Sequence, residues 1–276
     1  MRAMVLVDAE EAHMEQKLYA GIKSFRPKVV ISYETSEYII RTVENESDLL
    51  KSLELRHEVF IKDWQNRESP DGLDVDKYDF SADHLLIISK TSNKPVGTYR
   101  LLCSRFTNSF YSQKEFILNS FLEQSSIKLE LGRVCIDPLY RDGKTIDILW
   151  RGLAIYSNTV QARFMFGCAS INSIFPESIS SLYKELRSRN LWKNKHAIKP
   201  TKDYVLEGFN MEDTQPLASE EYRKLMPPLL RSYLNAGALT YGMPALDKEF
   251  GCTDVFTVLD TSKIDDRFRQ RYFEYN

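Results

Sequence analysis

A mixed α/β fold, built on a mostly antiparallel sheet with helices against it, is what this sequence predicts from three observations. His84 to Ser89 and Val96 to Leu102 are apolar, β-prone runs separated by a Thr-Ser-Asn-Lys-Pro turn, which marks an antiparallel hairpin. A third run, Lys128 to Ile136, passes through Pro138 and Gly143 into helical periodicity from Thr145 to Gln161. Another strand-like run, Arg163 to Ser170, and another helical one, Glu177 to Arg189, follow. Hairpin, strand, turn, helix, strand and helix in that order make a mixed sheet, where a uniform βαβ repeat would make a parallel one.

Three segments are expected along the chain. Residues 1–28 read as a loosely held leader, 29–203 as the core, and 204–276 as a C-terminal extension packed on it. Within the core, Tyr38 to Val43 form a first strand, and Ser47 caps the helix that follows. A polar loop runs from Gln65 to Asp83, and a short helical stretch covers Glu115 to Leu122. In the extension, Pro227-Pro228 start a helix with Leu225, Leu229, Leu230, Tyr233 and Leu234 on its apolar face, stopped at Gly237. Gly242 to Pro244 read as a loop and Val255 to Leu259 as a strand.

Composition narrows the function classes. The chain has 276 residues, enough to bury a substantial core, with 43% hydrophobic and 28% charged residues and a net charge of −2, so nothing points to nucleic acid. Cys103, Cys135, Cys168 and Cys252 lack the paired spacing of zinc or redox sites and read as reduced core thiols, with no metal and no permanently bound cofactor. No run is long and apolar enough to span a membrane, and a cytoplasmic location is expected.

Charged residues stand where core positions are due. Leu49, Leu53, Arg56 and Phe60 share one helical stripe, which turns the Arg56 guanidinium inward. Such a charge needs a partner, since leaving it unpaired costs roughly 3–5 kcal/mol. Asp74, Asp76 and Asp79 are the nearest supply. A second irregularity lies in Glu130-Leu131-Gly132-Arg133, whose two charges would face opposite sides of a regular strand. A bulge at Gly132 would turn both to one side and splay the strand from its neighbour, opening a slot for an extended acyl-thioester arm. Arg141-Asp142-Gly143-Lys144-Thr145 stands where a strand hands over to a helix, which suits a phosphate and equally suits an ordinary connecting turn.

These residues together carry a resemblance. Arg56, Phe60 and Trp64, Asp74-x-Asp76-x-x-Asp79, Gly97-Thr98-Tyr99-Arg100, Phe116 and Glu130-x-x-Arg133 resemble the shared core of the acyl-homoserine lactone synthases, which have the GCN5-related N-acetyltransferase fold. His84-Leu85-Leu86, Glu130 to Ile136, Leu149 to Leu153, Phe166 to Ser170, and Pro227 to Leu230 with Asp254 resemble more closely the ornithine lipid N-acyltransferases, often labelled hemolysin-like. The likeness spans Tyr38 to Tyr272. Two departures stand out: Asp74 replaces a glutamate of the signalling synthases, and the turn at Gly143 lacks the second glycine of coenzyme-A-dependent members.

The resemblance implies transfer of a (3-hydroxy)fatty acyl group from acyl carrier protein to the α-amine of ornithine or a similar amino acid. Glu130 would act as base, directly or through water, or else form an ion pair with Arg56 or Arg133. Arg133, Arg56, Asp76 and Asp79 would complete the catalytic set, with Asp76 and Asp79 either holding a cationic acceptor side chain or neutralising Arg56 and Arg100. Arg100, Asp74, His84, Phe60 and Trp64 are the candidates for binding substrate, with Arg100 and Arg133 gripping a carboxylate, and His84 is an alternative base or a structural residue. Arg141, Gly143, Lys144 and Thr145 are the candidates for phosphopantetheine. Cys135 as an acyl-enzyme nucleophile is a minor reading, because no basic residue is placed by sequence to form its thiolate. From Lys184 to Lys202 seven basic residues face one Glu, a patch that would steer an acidic carrier protein or an anionic inner-membrane surface. Leu229, Leu230 and Tyr233 would touch lipid or belong to the core. The alternatives are an acyl-homoserine lactone synthase using S-adenosylmethionine, and a non-enzymatic lipid-binding or hemolysin-type membrane effector.

Overall fold

The computed structural model describes residues 16–69, 71–215 and 217–274. Its elements in chain order are helix α1 (16–24), strands β1 (Ser32–Glu34) and β2 (Tyr38–Thr42), α2 (Glu46–Arg56), β3 (Asp83–Ser89) and β4 (Lys94–Cys103). Two single-turn helices, α3 (Ser112–Glu115) and α4 (Asn119–Leu122), flank the short β5 (Phe116–Ile117). Then come β6 (Lys128–Ile136), α5 (Gly143–Val160), β7 (Phe164–Ile171), α6 (Pro176–Ser188), β8 (Trp192–Lys193) and β9 (Lys199–Pro200). Next are α7 (Ser219–Leu225), α8 (Pro228–Asn235), β10 (Leu239–Asp247) and β11 (Cys252–Asp260), followed by short helical turns at Thr261–Lys263, Asp266–Phe268 and Arg269–Phe273. The pairing is mixed and mostly antiparallel, with β6–β7 and β8–β10 the parallel pairs.

Two compact units form. The first gathers the chain up to Leu102 with Arg133–Tyr156; the second gathers Cys103–Gly132 with Ser157–Asn276. In the first, β1, β2, β3 and β4 pair antiparallel in sequence order. Helix α5 lies against β2 and β3, and a Cβ added at Gly152 would run into Ile40 and Leu85, so glycine permits that close approach. Helix α2 starts at Glu46, with Asn45 as its cap: the Asp48 N–H donates to Asn45 Oδ1. Sequence had favoured Ser47; a short polar side chain stands at both positions, and only the backbone turn decides between them. After Arg56 the helix widens into π-helical turns over His57–Trp64. Ile22 and Phe25 are buried with Val43, Leu49, Leu53, Leu73 and Leu86, so these two side chains tie the end of α1 to the core, whereas sequence suggested a loose leader. Residues 1–15 of that leader lie outside the described residues.

The second unit is where the sequence reading needs most correction. Its sheet runs β6, β7, β11, β10, β8, and β11 pairs with β7 over eight consecutive residues, from Thr253↔Ile171 to Asp260↔Phe164. The segment after residue 204 is therefore part of this sheet. Gly242 to Pro244, read as a loop, is a bulge inside β10: register with β11 shifts between Tyr241 and Ala245. Gly242 takes a left-handed φ of +67°, and a Cβ there would collide with Ile198, while Pro244 has no N–H to give a ladder. Phe121 makes edge-to-face contacts with Phe166 and Phe256, and Phe116 lies tilted on Phe256, an aromatic cluster that anchors α3, β5 and α4. Leu230 and Leu234 of α8 sit in a core with Leu182, Leu186 and Val255, which makes that helix face structural.

Candidate active site

In the first unit the arginines and aspartates meet. Helix α2 carries Arg56 into the core with no exposed surface, as the Leu49–Leu53–Arg56 stripe requires. Its Nε donates to Asp74 Oδ2 at 2.9 Å and its Nη1 to Asp79 Oδ1 at 2.7 Å. Arg100 of β4 donates from Nη1 to Asp76 Oδ1 at 2.7 Å and to Asp79 Oδ1 at 3.1 Å. Arg133, which takes φ 50°, brings Nε to 3.3 Å from Asp74 Oδ2 and Nη2 to 3.6 Å from Asp76 Oδ2. The left-handed residue recorded at the expected bulge is thus Arg133, and it aims its side chain at the acids.

Three guanidiniums face three carboxylates, so the cluster balances its own charge. Burial opposes ionisation of Asp79, yet the Arg56 and Arg100 charges outweigh it and hold that carboxyl well below the usual range. Asp74 is likewise held down by Arg56 and Arg133 against burial. Arg56 is raised, since the attraction of Asp74 and Asp79 exceeds the cost of burial. Of the two roles open to Asp79, the geometry uses it to neutralise Arg56 and Arg100. Asp76, a quarter exposed, is the cluster's edge toward solvent.

His84 is fully buried and gives its Nε2–H to the Asp79 carbonyl at 3.0 Å. Burial lowers its pKa to about 4, so it is neutral at pH 7 and occupied by a structural bond. Phe60 and Trp64 lie on the π-helical turns, Phe60 half-buried and Trp64 exposed. At the start of α5, the Arg141 Nε donates to the Ile136 carbonyl and Lys144 pairs with Glu37 at 2.6 Å. Thr145 is buried, with its N–H on Asp142 Oδ1 at 2.8 Å. A carboxylate of the chain itself therefore holds one amide of this turn, while the space beside Gly143 is open.

Glu130 belongs to the second unit. Its Oε2 accepts from the Tyr111 N–H and its Oε1 from the Ser112 N–H, both at 2.7 Å, so it caps the first turn of α3. One turn further along α3 is Glu115, a residue that sequence reasoning did not single out. It is fully buried. Carboxylate oxygens of Glu115 and Asp254 and the Cys168 Sγ all lie within 4.8 Å of one another. Burial first, then the charge of Asp254, pushes the Glu115 carboxyl well above its usual range. Nothing in the sequence marked Glu115, because a one-turn helix has no periodicity to read.

Three of the thiols are also held protonated. Burial pushes Cys135 up to about 12 and raises Cys168 and Cys252 strongly. In the basic run, Arg187 pairs with Glu212 and Arg189 with Glu185, which leaves Lys193, Lys195, Lys199 and Lys202 exposed as its cationic part.

Residues 55–151 match the family model of the acetyltransferase (GNAT) domain, the segment that carries Arg56, the three aspartates, Arg100, Glu130 and Arg133. An L-ornithine N(alpha)-acyltransferase of Agrobacterium fabrum is 30% identical over 253 residues, covering 84% of each chain. The chain belongs to the L-ornithine N(alpha)-acyltransferase family. A second member of that name, from Rhizobium meliloti, is 27% identical over 98% of this chain and 94% of its own. The fold is GNAT-type, and the protein is an acyltransferase of the N-acyl-transferring kind. Among solved structures, the CoA-dependent acyl-homoserine lactone synthase MesI aligns with TM-score 0.46 at 13% identity, over 84% of this chain and 90% of its own. FeeM, an N-acyl amino acid synthase from uncultured soil microbes, aligns with TM-score 0.45 at 9% identity, over 86% and 97%. Among the described residues, no helix is long and apolar enough to cross a membrane.

Proposed function

We propose that this acyltransferase moves a (3-hydroxy)fatty acyl group from acyl carrier protein to the α-amine of ornithine or a close analogue, making a lyso-ornithine lipid. The observation that carries this reading is the likeness to the ornithine acyltransferases over 84% of the chain or more. The neutral α-amine attacks the thioester carbonyl, the C–N bond forms, the C–S bond breaks, and the phosphopantetheine thiol leaves with a proton. Glu130 is the proposed base. Both of its oxygens already accept backbone N–H bonds, which favour the carboxylate and place the proton relay on a water between it and the amine. Transfer is direct, since buried thiols held protonated are poor nucleophiles for an acyl-enzyme.

Arg100 and Arg133 are the proposed grips for an acceptor carboxylate, and Arg141, Gly143 and Lys144 those for the donor phosphate. Asp142 on the Thr145 amide takes one anion position at that turn, which supports the single phosphate of a carrier-bound arm over the added pyrophosphate of coenzyme A. Lys193, Lys195, Lys199 and Lys202 offer an acidic carrier protein or the inner-membrane surface a cationic face.

The test is a donor-by-acceptor matrix read by mass spectrometry: acyl carrier protein or coenzyme A thioesters against ornithine or S-adenosylmethionine. N-acylornithine formed faster from the carrier protein is the expected result. Product with S-adenosylmethionine alone would assign a lactone synthase, and lysis of vesicles without any turnover a membrane effector.

A further inference from the structure

Resting on the lyso-ornithine lipid product proposed above, an amphiphile whose acyl chain belongs in a bilayer, a second question is which surface of the protein meets lipid. The apolar face of α8 is taken, because Leu230 and Leu234 are built into a core. We propose that the outer face of the β5–β9 pair and the adjoining β10 bulge, where Ile117 and Met243 stand among Lys193, Lys195, Lys199 and Lys202, docks on an anionic phospholipid bilayer.

The backbone of this corner of the second unit is held from several sides, and its exposed side chains are cationic or apolar. In β5–β9, Phe116 is opposite Pro200 and Ile117 opposite Lys199, and opposed residues of an antiparallel pair share a side. Phe116 and Pro200 are buried on the inner side, while Lys199 is exposed and Ile117 is 40% exposed on the outer one. The β10 bulge joins next to them: the Met243 N–H donates to the Ile198 carbonyl at 3.3 Å, and the Met243 side chain is 44% exposed. Between β8 and β9 the chain turns through His196 and Ala197, at φ 65° and 49°. The Ser120 hydroxyl donates to the His196 carbonyl, and the His196 ring lies 6.0 Å from both Phe121 and Tyr241, which fastens that turn. Lys195 is therefore exposed on a fixed backbone. Lys202 follows Thr201, which donates its N–H to the Glu115 carbonyl at 2.7 Å and its hydroxyl to the Lys114 carbonyl at 2.9 Å. Lys193 stands on β8, where it pairs with Tyr241.

Charge decides what such a face can meet. Arg187 and Arg189 of the same basic run are taken by Glu212 and Glu185, whereas none of the four lysines has a carboxylate partner among the described residues. No acid interrupts the chain from Lys193 to Lys202, and four lysines together reach the size of cluster that holds anionic lipid. A protein partner is met chiefly by arginine and aromatic anchors, and lysine is depleted from such interfaces. Lysine suits a surface of many equivalent phosphates: its ammonium is a mobile point charge, and its methylene stem can lie along apolar surface while the charge stays in water. Ile117 and Met243, standing among the lysines, supply the apolar contact that sinks below the headgroups. Helix α3, whose first amides bind Glu130, runs directly into β5, so the docking face adjoins the anchor of the proposed base.

The experiment is co-sedimentation of the full-length protein with vesicles of phosphatidylcholine alone and of phosphatidylcholine mixed with phosphatidylglycerol, with KM for the carrier-protein thioester measured in parallel without lipid. The wild type should pellet with the phosphatidylglycerol vesicles, stay in solution with the neutral ones and come off as salt is raised. Lys195→Gln combined with Lys199→Gln should weaken vesicle binding about 25-fold, at about fivefold for each lysine near an anionic surface. Met243→Ser, as a second variant, should weaken it several-fold and leave the salt dependence as it was. Equal binding to both kinds of vesicle, no pelleting with either, or variants that pellet like the wild type overturns the docking face and leaves N-acyl transfer to ornithine intact. Unchanged vesicle binding with a raised KM for the carrier-protein thioester in the lysine variant overturns the bilayer as occupant and gives the face to the carrier protein. Binding to phosphatidylglycerol vesicles that the variants weaken, in a protein that forms no N-acylornithine, keeps the face and overturns the proposed product.

Discussion

The two units of this protein bury carboxylates in opposite ways. In the first, Asp74, Asp76 and Asp79 are met by Arg56, Arg100 and Arg133, and Asp74 and Asp79 are held ionised. In the second, the Glu115 and Asp254 carboxylates and the Cys168 thiol gather within 4.8 Å of one another, and Glu115 is held well above its usual range by burial and by the Asp254 charge. One cluster balances its charges from within. The other favours a retained proton, since burial and the neighbouring Asp254 charge both oppose ionisation of Glu115.

The contrast sets opposite responses to pH. Asp79 has its pKa depressed in the fold, so its contribution is present above the ordinary value of 3.8 and is lost as pH falls below it. Glu115 has its pKa raised, so the unfolded chain gives up a proton near 4.5 that the fold retains; stability held below that value is lost as pH rises through it.

Four changes would break or sharpen this comparison. The largest effect belongs to Arg56→Met, which strands Asp74 and Asp79 without their shared partner. A loss of about 3–5 kcal/mol is expected in urea unfolding at pH 7, and a loss under about 1 would show that the cluster is not a matched set. Next is Glu130→Gln, which keeps one oxygen for the α3 amides but removes the base: turnover should fall about a hundredfold while the unfolding midpoint moves little. Turnover near wild type would leave Glu130 only its capping role. Third, Glu115→Gln should stabilise the protein at pH 8 by about 1 kcal/mol and have little effect at pH 4, the sign opposite to that of Arg56→Met; destabilisation at pH 8 would mean the acid pair is structural. The smallest is Lys144→Ala. Its exposed pair with Glu37 predicts no measurable change in thermal midpoint, and a rise in KM for the acyl donor confined to this variant would place a donor phosphate at the α5 turn.

How far sequence could see follows from the same contrast. Arg56 was legible because Leu49 and Leu53 fix its helical phase and a buried charge demands acids nearby. Phe60 continued that stripe on paper but is only half-buried, since the helix loosens into π geometry at His57 and shifts the phase. Glu115 was illegible: its burial is imposed by contacts with β7 and β11, far along the chain, and its neighbours Cys168 and Asp254 are distant in sequence. Strand β10 was misread for a related reason. Gly242 and Pro244 are turn residues by local preference, and the pairing that overrules them comes from β11. The donor turn at Arg141 to Thr145 was visible, but that Asp142 would fold back onto the Thr145 amide was not.

The shielding of the cysteines has a consequence for durability. With the thioester donor proposed above, the enzyme would be exposed at every turnover to exchange of the acyl chain onto its own sulfur, which would leave it self-acylated and inert. Exchange requires a thiolate, and burial at Cys135 and Cys168 raises both thiols well above their ordinary value, so that form is withheld near neutral pH.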